Sequence, residues 1–252
     1  MKKFIVAASL LFAVPTAACA ESFPVDSTLL IKGPIADQTM GPILTQMNGL
    51  VVADPAPSRV TLILDSPGGS VYTGFKFISQ MKTLQGKGTK FHCYVTGMAA
   101  SMAFHILTQC DKRVVLEESM LLWHRARIFV MFGIVTAPSA REVAKDLEPL
   151  DSLILQSVLS TVGKDMSRSE VIEHFERETF HVGVNLCAAT PRFCVAKSHV
   201  PGLIEAVNNP AIISTVNPRK LEPENKKKNM FTGIESVVYI CEQFLLDLME
   251  DK

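Results

Sequence analysis

The stretch "VTLILDSPGGSV", residues 60–71, decides the fold. Val60 to Leu64 is an unbroken run of aliphatic and β-branched residues, the pattern of a buried strand. It runs into Asp65, Ser66, Pro67 and two glycines, and from Val71 the apolar residues change spacing. Val71, Phe75, Ile78, Met81 and Leu84 recur every three or four positions, which places them on one face of a helix over 71–84. A buried strand passing through a glycine turn into an amphipathic helix is the repeating unit of α/β proteins.

The same alternation continues outward. Strands are expected at Thr28–Lys32, Val60–Leu64, Lys90–Val95 and Arg113–Leu116. A further helix over 38–51 aligns Met40, Ile43, Leu44, Met47 and Leu50. Residues 139–162 form a long amphipathic helix with Gly163 just past its end, and Pro149 is expected to kink or shorten it. Ser167 and Glu170 have capping-box spacing and open a helix running to Phe175. From Val207 to Asn229 prolines, asparagines and Lys226-Lys227-Lys228 indicate a solvated linker. Beyond it Ile234, Val237, Cys241, Phe244, Leu245 and Leu248 form the apolar stripe of a docking helix. The division is therefore 1–20, a domain over 21–207, and a linker with an amphipathic helix over 208–252.

Residues 1–20 have the form of a secretory leader: Lys2 and Lys3, an apolar core from Phe4 to Val14, and Ala18-Cys19-Ala20 as an A-x-A cleavage site. The core is too short for a permanent membrane span. A periplasmic or secreted protein is expected, with lipid attachment at Cys19 the less favoured alternative because Thr16 stands where that signal wants an aliphatic residue. The chain carries 25 basic and 25 acidic residues. Loss of Lys2 and Lys3 leaves it nearly neutral, so no nucleic-acid partner is expected. Cys93, Cys110, Cys187, Cys194 and Cys241 would remain. Cys187 and Cys194 are close enough in sequence to bridge if the backbone turns back, and the odd count leaves a thiol unpaired within the chain. Cys93, within an apolar run, reads as a small core residue.

The chemistry centres on "VTGMAASMAF", residues 95–104. Ser101 follows a glycine and small residues and precedes an apolar helix. It thus sits near a helix N-terminus, where backbone N–H groups favour the negative charge that builds when a serine attacks a carbonyl. A serine there can equally be a helix cap. In "LLWHRAR", residues 121–127, His124 ends an apolar strand and is a candidate general base for a serine. His92, His105, His174, His181 and His199 have weaker cases. His105 lies one helical turn beyond Ser101 and points along the helix.

Taken together, "LDSPGGSV", "GMAASMAF", a histidine after a hydrophobic strand, "ERETF" at 176–180 and "GLIEAV" at 202–207 resemble the Clp protease proteolytic subunit (ClpP) and its relatives. An apparent insertion holding Cys187 and Cys194 interrupts the likeness, which covers most of residues 27–207. The resemblance implies an α/β ClpP/crotonase-like fold of repeated β-β-α units with a protruding handle helix. It implies a serine endopeptidase in which Ser101 is the nucleophile, His124 the general base, and the Gly69 and Met102 amides the oxyanion hole. In the family the third triad member is an aspartate two places before a phenylalanine. Glu178 stands there instead, with Glu173, Glu176 and Asp146 as substitutes. The apolar segment "IFVMFGIVTA", 128–137, falls where the family's handle begins and is expected to make an oligomer contact, line a substrate groove or form a buried hairpin.

Peptide or unfolded protein is then the expected substrate, and a homo-oligomer the expected assembly. Clp proteases of the cytosol are fed by ATP-driven unfoldases. An exported chain would have no ATP, so no ATPase partner is expected and peptidolysis would be ATP-independent. Neither a phosphate-binding loop nor ligand-spaced histidines and cysteines appear, so no cofactor and no metal are expected. Two other functions compete: a non-catalytic binding or assembly module retaining the fold, and an acyl-thioester enzyme of the related crotonase fold, against which the serine–histidine pair argues.

Overall fold

The structure, a computed structural model, describes residues 22–127, 136–178 and 180–213. The leader at 1–20, most of the apolar segment at 128–137, and the docking helix beyond 230 lie outside the described residues.

Strands β1 (Thr28–Lys32), β2 (Arg59–Ser66), β3 (Lys90–Ala100), β4 (Lys112–Leu116), β5 (Met120–Leu122), β6 (Phe180–Val182) and β7 (Val195–Lys197) form one sheet. Its spine has the order β1-β2-β3-β4-β7, every pairing parallel. β5 branches from the end of β3 in parallel and pairs antiparallel with β6. Helices α1 (Asp37–Val52), α2 (Val71–Gly86), α3 (Met102–Thr108), α4 (Ala137–Val162), α5 (Arg168–Arg177), α6 (Gly183–Ala189), α7 (Leu203–Val207) and α8 (Pro210–Ile213), with a 3-10 turn at Val25–Ser27, complete the described elements.

The two faces of the sheet follow from the period of two along its strands. Leu29, Ile31, Leu62, Leu64, Cys93 and Val95 point into the larger core beneath α1, α2 and α3. Their alternates Leu30, Ile63, Tyr94 and Val114 point the other way, where Val200, Leu203, Ala206 and Ile212 cover them. Both faces are buried, which explains why Val60 to Leu64 carries no charge and, as its one polar group, only the small hydroxyl of Thr61.

Two expectations are modified. β3 does not end at Val95. Its pairing with β2 shifts register between Leu64 and Ser66, and β3 continues to Ala100 alongside β5. Asp65 holds the irregularity, its Oδ1 accepting the Met98 amide at 3.2 Å. Pro149 does not end α4, which runs through it. The first half of α4 is solvent-exposed, so water can satisfy the carbonyl that a proline leaves unpaired. This half is the protruding arm, and Ile154, Val158 and Val162 anchor the second half in the core. Both α4 and α5 begin with reciprocal capping bonds, Thr136 with Ser139 and Ser167 with Glu170.

Candidate active site

Ser101 joins β3 to α3. Parallel pairing brings Ala100 opposite Leu122, and the Ser101 amide donates to the Leu122 carbonyl at 2.8 Å. The backbone then turns sharply, with Ser101 at φ 52° and ψ −121°. Such a conformation costs a non-glycine residue about 1–3 kcal/mol and persists only where surrounding structure enforces it. The Ser101 carbonyl accepts the first helical bond, from the His105 amide at 3.1 Å. Its hydroxyl makes no capping bond. Ser101 is therefore a cap in position only, and its half-buried side chain is free of the task a helix would give it.

The glycine turn lies directly against this elbow. A Cβ on Gly68 would stand 2.6 Å from both the Ala100 oxygen and the Ser101 Cβ, and 2.9 Å from the Met102 nitrogen. Only glycine allows that approach. Gly68 and Gly69 also have φ of 95° and 143°. The turn is pinned to Ile35, whose amide donates to the Gly68 carbonyl and whose carbonyl accepts from Ser70, each at 2.7 Å. The Gly69 amide between them has no acceptor among the described residues. Ser70 then caps α2 by accepting the Thr73 amide. Asp65, Pro67 and the glycines thus present backbone to the serine as well as reversing the chain.

His124 leaves β5 two residues beyond the carbonyl that holds Ser101. Its neighbour Trp123 is buried between Phe104 of α3 and Phe175 of α5, with ring centroids 5.9 and 4.8 Å away, which fixes the strand end. The imidazole is half-buried, and its Nδ1 lies 2.5 Å from the Arg125 carbonyl oxygen. A carbonyl only accepts, so Nδ1 carries the proton and Nε2 is left with a lone pair. Burial lowers the His124 pKa, opposed by the bond to the Arg125 carbonyl. Arg127 lowers it too, while Glu178 and Asp151 raise it.

Glu178 ends α5 in a left-handed conformation, φ 50°. Ser101 and Glu178 are the described non-glycine residues with positive φ. The Glu178 carboxylate pairs with Arg127 rather than with His124. Glu173 pairs with Arg177 at 3.1 Å and Glu176 with Arg125 at 3.0 Å, and Asp146 is exposed on α4. The fold therefore brings together Ser101, Gly68, Gly69, Met102 and the strand bearing His124. Among the described residues no hydrogen bond joins Ser101 to His124, or Glu178 to either.

Three features of the site had no clear signal in the sequence. Asp151 of α4 accepts the Ala126 amide at 2.7 Å and Arg125 Nη1 at 3.2 Å. Nothing but helical phase relative to Ile154 would have pointed to it. His105 is 1% exposed with both ring nitrogens unpartnered among the described residues, and burial followed by the charge of Lys82 depresses its pKa to about 3. Cys93, read from the sequence as a small core residue, is instead bonded to Cys110, closing a loop with Ser101 near its middle, whereas the bond of Cys187 to Cys194 is the local bridge that their spacing allowed.

The family model for Clp protease matches residues 18–183. The chain is 35% identical over 102 residues to the ATP-dependent Clp protease proteolytic subunit of Porphyromonas gingivalis (strain ATCC BAA-308 / W83), covering 40% of this chain and 44% of that protein. It is 26% identical over 151 residues to the subunit of the same name from Leuconostoc citreum (strain KM20), covering 57% of this chain and 74% of that protein. The chain thus spans less than half of the first relative and about three quarters of the second. The family match takes in the glycine turn, the serine elbow and the histidine strand, and this chain belongs to the Clp protease family, whose chemistry is that of a serine peptidase.

Proposed function

We propose that the chain is an exported serine peptidase that hydrolyses short or unfolded polypeptides without ATP. The observation that carries the reading is the Ser101 elbow: a strained, uncapped serine held against a glycine turn with an unclaimed amide. Ser101 Oγ attacks the peptide carbonyl carbon, and its proton passes to His124 Nε2. The tetrahedral oxyanion takes hydrogen bonds from the Gly69 and Met102 amides, each such donor contributing about 3 kcal/mol to the transition state. His124 then returns the proton to the leaving amine, and the acyl group stays on Ser101 as an ester. Water deprotonated by His124 hydrolyses the ester and restores the hydroxyl. Glu178 stands at the family's acid position, and its charge supports proton acceptance by His124.

Export is supported by the basic and apolar composition of residues 1–20 and by two cysteine pairs, which suit an oxidising compartment. Both relatives are named as ATP-dependent subunits. The absence of ATP outside the cytoplasm is the reason for proposing independence here. Assembly of several copies, as the family resemblance implies, belongs to the same proposal.

The test is hydrolysis of a denatured protein and of a fluorogenic peptide by the purified mature chain without nucleotide. Cleavage by the native chain, and none by Ser101→Ala, is expected. Cleavage that persists in Ser101→Ala, or that requires ATP and an unfoldase, contradicts the reading. The rival, a non-catalytic module, draws on the pairing of Glu178 with Arg127, and a folded chain with no cleavage under any condition would favour it.

A further inference from the structure

Among the described residues the Nδ1 proton of His124 meets no carboxylate directly, yet one stands a single peptide unit away. The peptide between Arg125 and Ala126 carries two hydrogen bonds. Its carbonyl accepts from His124 Nδ1 at 2.5 Å, and its N–H donates to Asp151 Oδ1 at 2.7 Å. The other carboxylate oxygen, Oδ2, takes Arg125 Nη1 at 3.2 Å, so the side chain on the same segment is held as well. Asp151 is 13% exposed and sits on α4 one turn before the buried Ile154, on the anchored half of the helix. Glu178, at the family's acid position, is engaged by Arg127 and is 39% exposed.

We propose that Asp151, acting through the Arg125–Ala126 peptide, is the positioning residue that orients His124 and steadies its protonated form, the work an acid performs by direct contact in a serine–histidine–acid triad. The proposal rests on the serine-peptidase reading above. The bonds run in one direction, from Nδ1–H to carbonyl and from the same amide's N–H to carboxylate. Hydrogen bonds in series polarise one another, so negative charge on Asp151 makes the Arg125 oxygen a better acceptor. As His124 gains a proton from Ser101, that oxygen is the group which must accept more strongly.

Among the described residues the charged groups facing His124 are Arg125 and Arg127 from its own segment, Asp151 from α4 and Glu178 at the end of α5. Asp151 and Glu178 favour the protonated ring and Arg127 opposes it. Loss of the Asp151 charge therefore makes His124 harder to protonate, and a reaction that needs the neutral ring persists to lower pH.

The experiment measures the second-order rate of Ser101 labelling by a fluorophosphonate across acid and neutral pH. It uses the mature chain and its Asp151→Ala, Asp151→Asn and Glu178→Gln variants, with melting temperatures alongside. Asp151→Ala should label at least about tenfold more slowly, a loss in the range that misplacement of a catalytic group produces, and should lose more than Glu178→Gln. Asp151→Asn keeps an oxygen for the Ala126 amide. It should retain part of the rate while its acidic limb moves to lower pH, a shift that a purely structural role would not produce. If Asp151→Ala does not fold, the limb of Asp151→Asn decides. Labelling of both Asp151 variants at the native rate with an unmoved limb overturns the proposal while leaving the peptidase reading intact. Failure of the native chain to label overturns both.

Discussion

The Ser101 amide donates to the Leu122 carbonyl at 2.8 Å, so Ser101 and His124 emerge from adjacent parallel strands whose relative position is fixed by the sheet. The bond lies on the last rung before β3 turns into α3. Ser101 has left the strand conformation one residue later than Ala100, and His124 follows Leu122 by two. Both positions are thus set by backbone pairing.

Because Ser101 is held at φ 52°, replacing it with glycine should relieve strain. Ser101→Gly is expected to be more stable than Ser101→Ala, by about 1 kcal/mol, while both lose all hydrolytic activity. Chemical denaturation of the two variants checks this, and an equal or lower stability of the glycine variant would show that the elbow is unstrained.

Gly68→Ala should displace the elbow. Its Cβ would meet backbone and the Ser101 Cβ at 2.6 Å, and neither can swing away. A destabilisation of about 1–3 kcal/mol is expected, together with loss of Ser101 reactivity. Gly69→Ala should clash with the Ile35 carbonyl instead, so unfolding curves and labelling of the two variants together distinguish damage at the serine from damage at the Ile35 bridge.

The buried His105 predicts a specific acid sensitivity. Its folded pKa of about 3 lies below the ordinary 6.5, so the native state holds it neutral while the unfolded chain protonates it. The stability associated with this group is complete above 6.5 and falls as the pH drops from 6.5 towards 3, at up to about 1.4 kcal/mol per pH unit. His105→Phe should remove that slope and, by deleting two unpartnered buried nitrogens, raise stability at acid pH. Urea titrations at mildly acid and neutral pH measure both effects.

Burial lowers the pKa of His124, the proposed base, below the ordinary histidine value. Activity requires neutral His124, so it should survive to pH values below 6.5. Arg127→Gln removes a charge that disfavours protonation and should move the limb to higher pH, while Glu178→Gln should move it lower. A pH–rate profile of each variant tests the signs, and identical limbs in all would place another group in the base's role.

The Cys93–Cys110 bond encloses a loop with Ser101 near its middle, and both cysteines are buried. Replacing the pair with alanine should cost roughly 2–4 kcal/mol and broaden the elbow's motion. Peptide mapping under non-reducing conditions, followed by denaturation with and without reductant, checks pairing and cost.

Much of this architecture is written in local pattern. The aliphatic run at 60–64 and the spacing of Val71, Phe75 and Ile78 specify β2 and α2 because burial on two faces and on one stripe leave different periods. Ser101 is visible as a strand-to-helix junction for the same reason. What the sequence hides is long-range pairing. The extension of β3 to Ala100 depends on Asp65 reaching the Met98 amide and on β5 arriving alongside. β6 and β7 are three residues each, too short to show a period. Cys110 meets Cys93 only after α3 folds back on β3. The partner of Glu178 is a choice among Arg125, Arg127 and Arg177, and no spacing rule decides between arginines that converge in space.

The most direct measurement of the central claim is site mapping by mass spectrometry after treatment of the folded mature chain with a serine-reactive phosphonate. The account predicts one adduct per chain, located on Ser101, absent from Ser101→Ala and strongly slowed in His124→Ala. A folded chain that takes no adduct, or takes it on another residue with Ser101 untouched, would contradict the account.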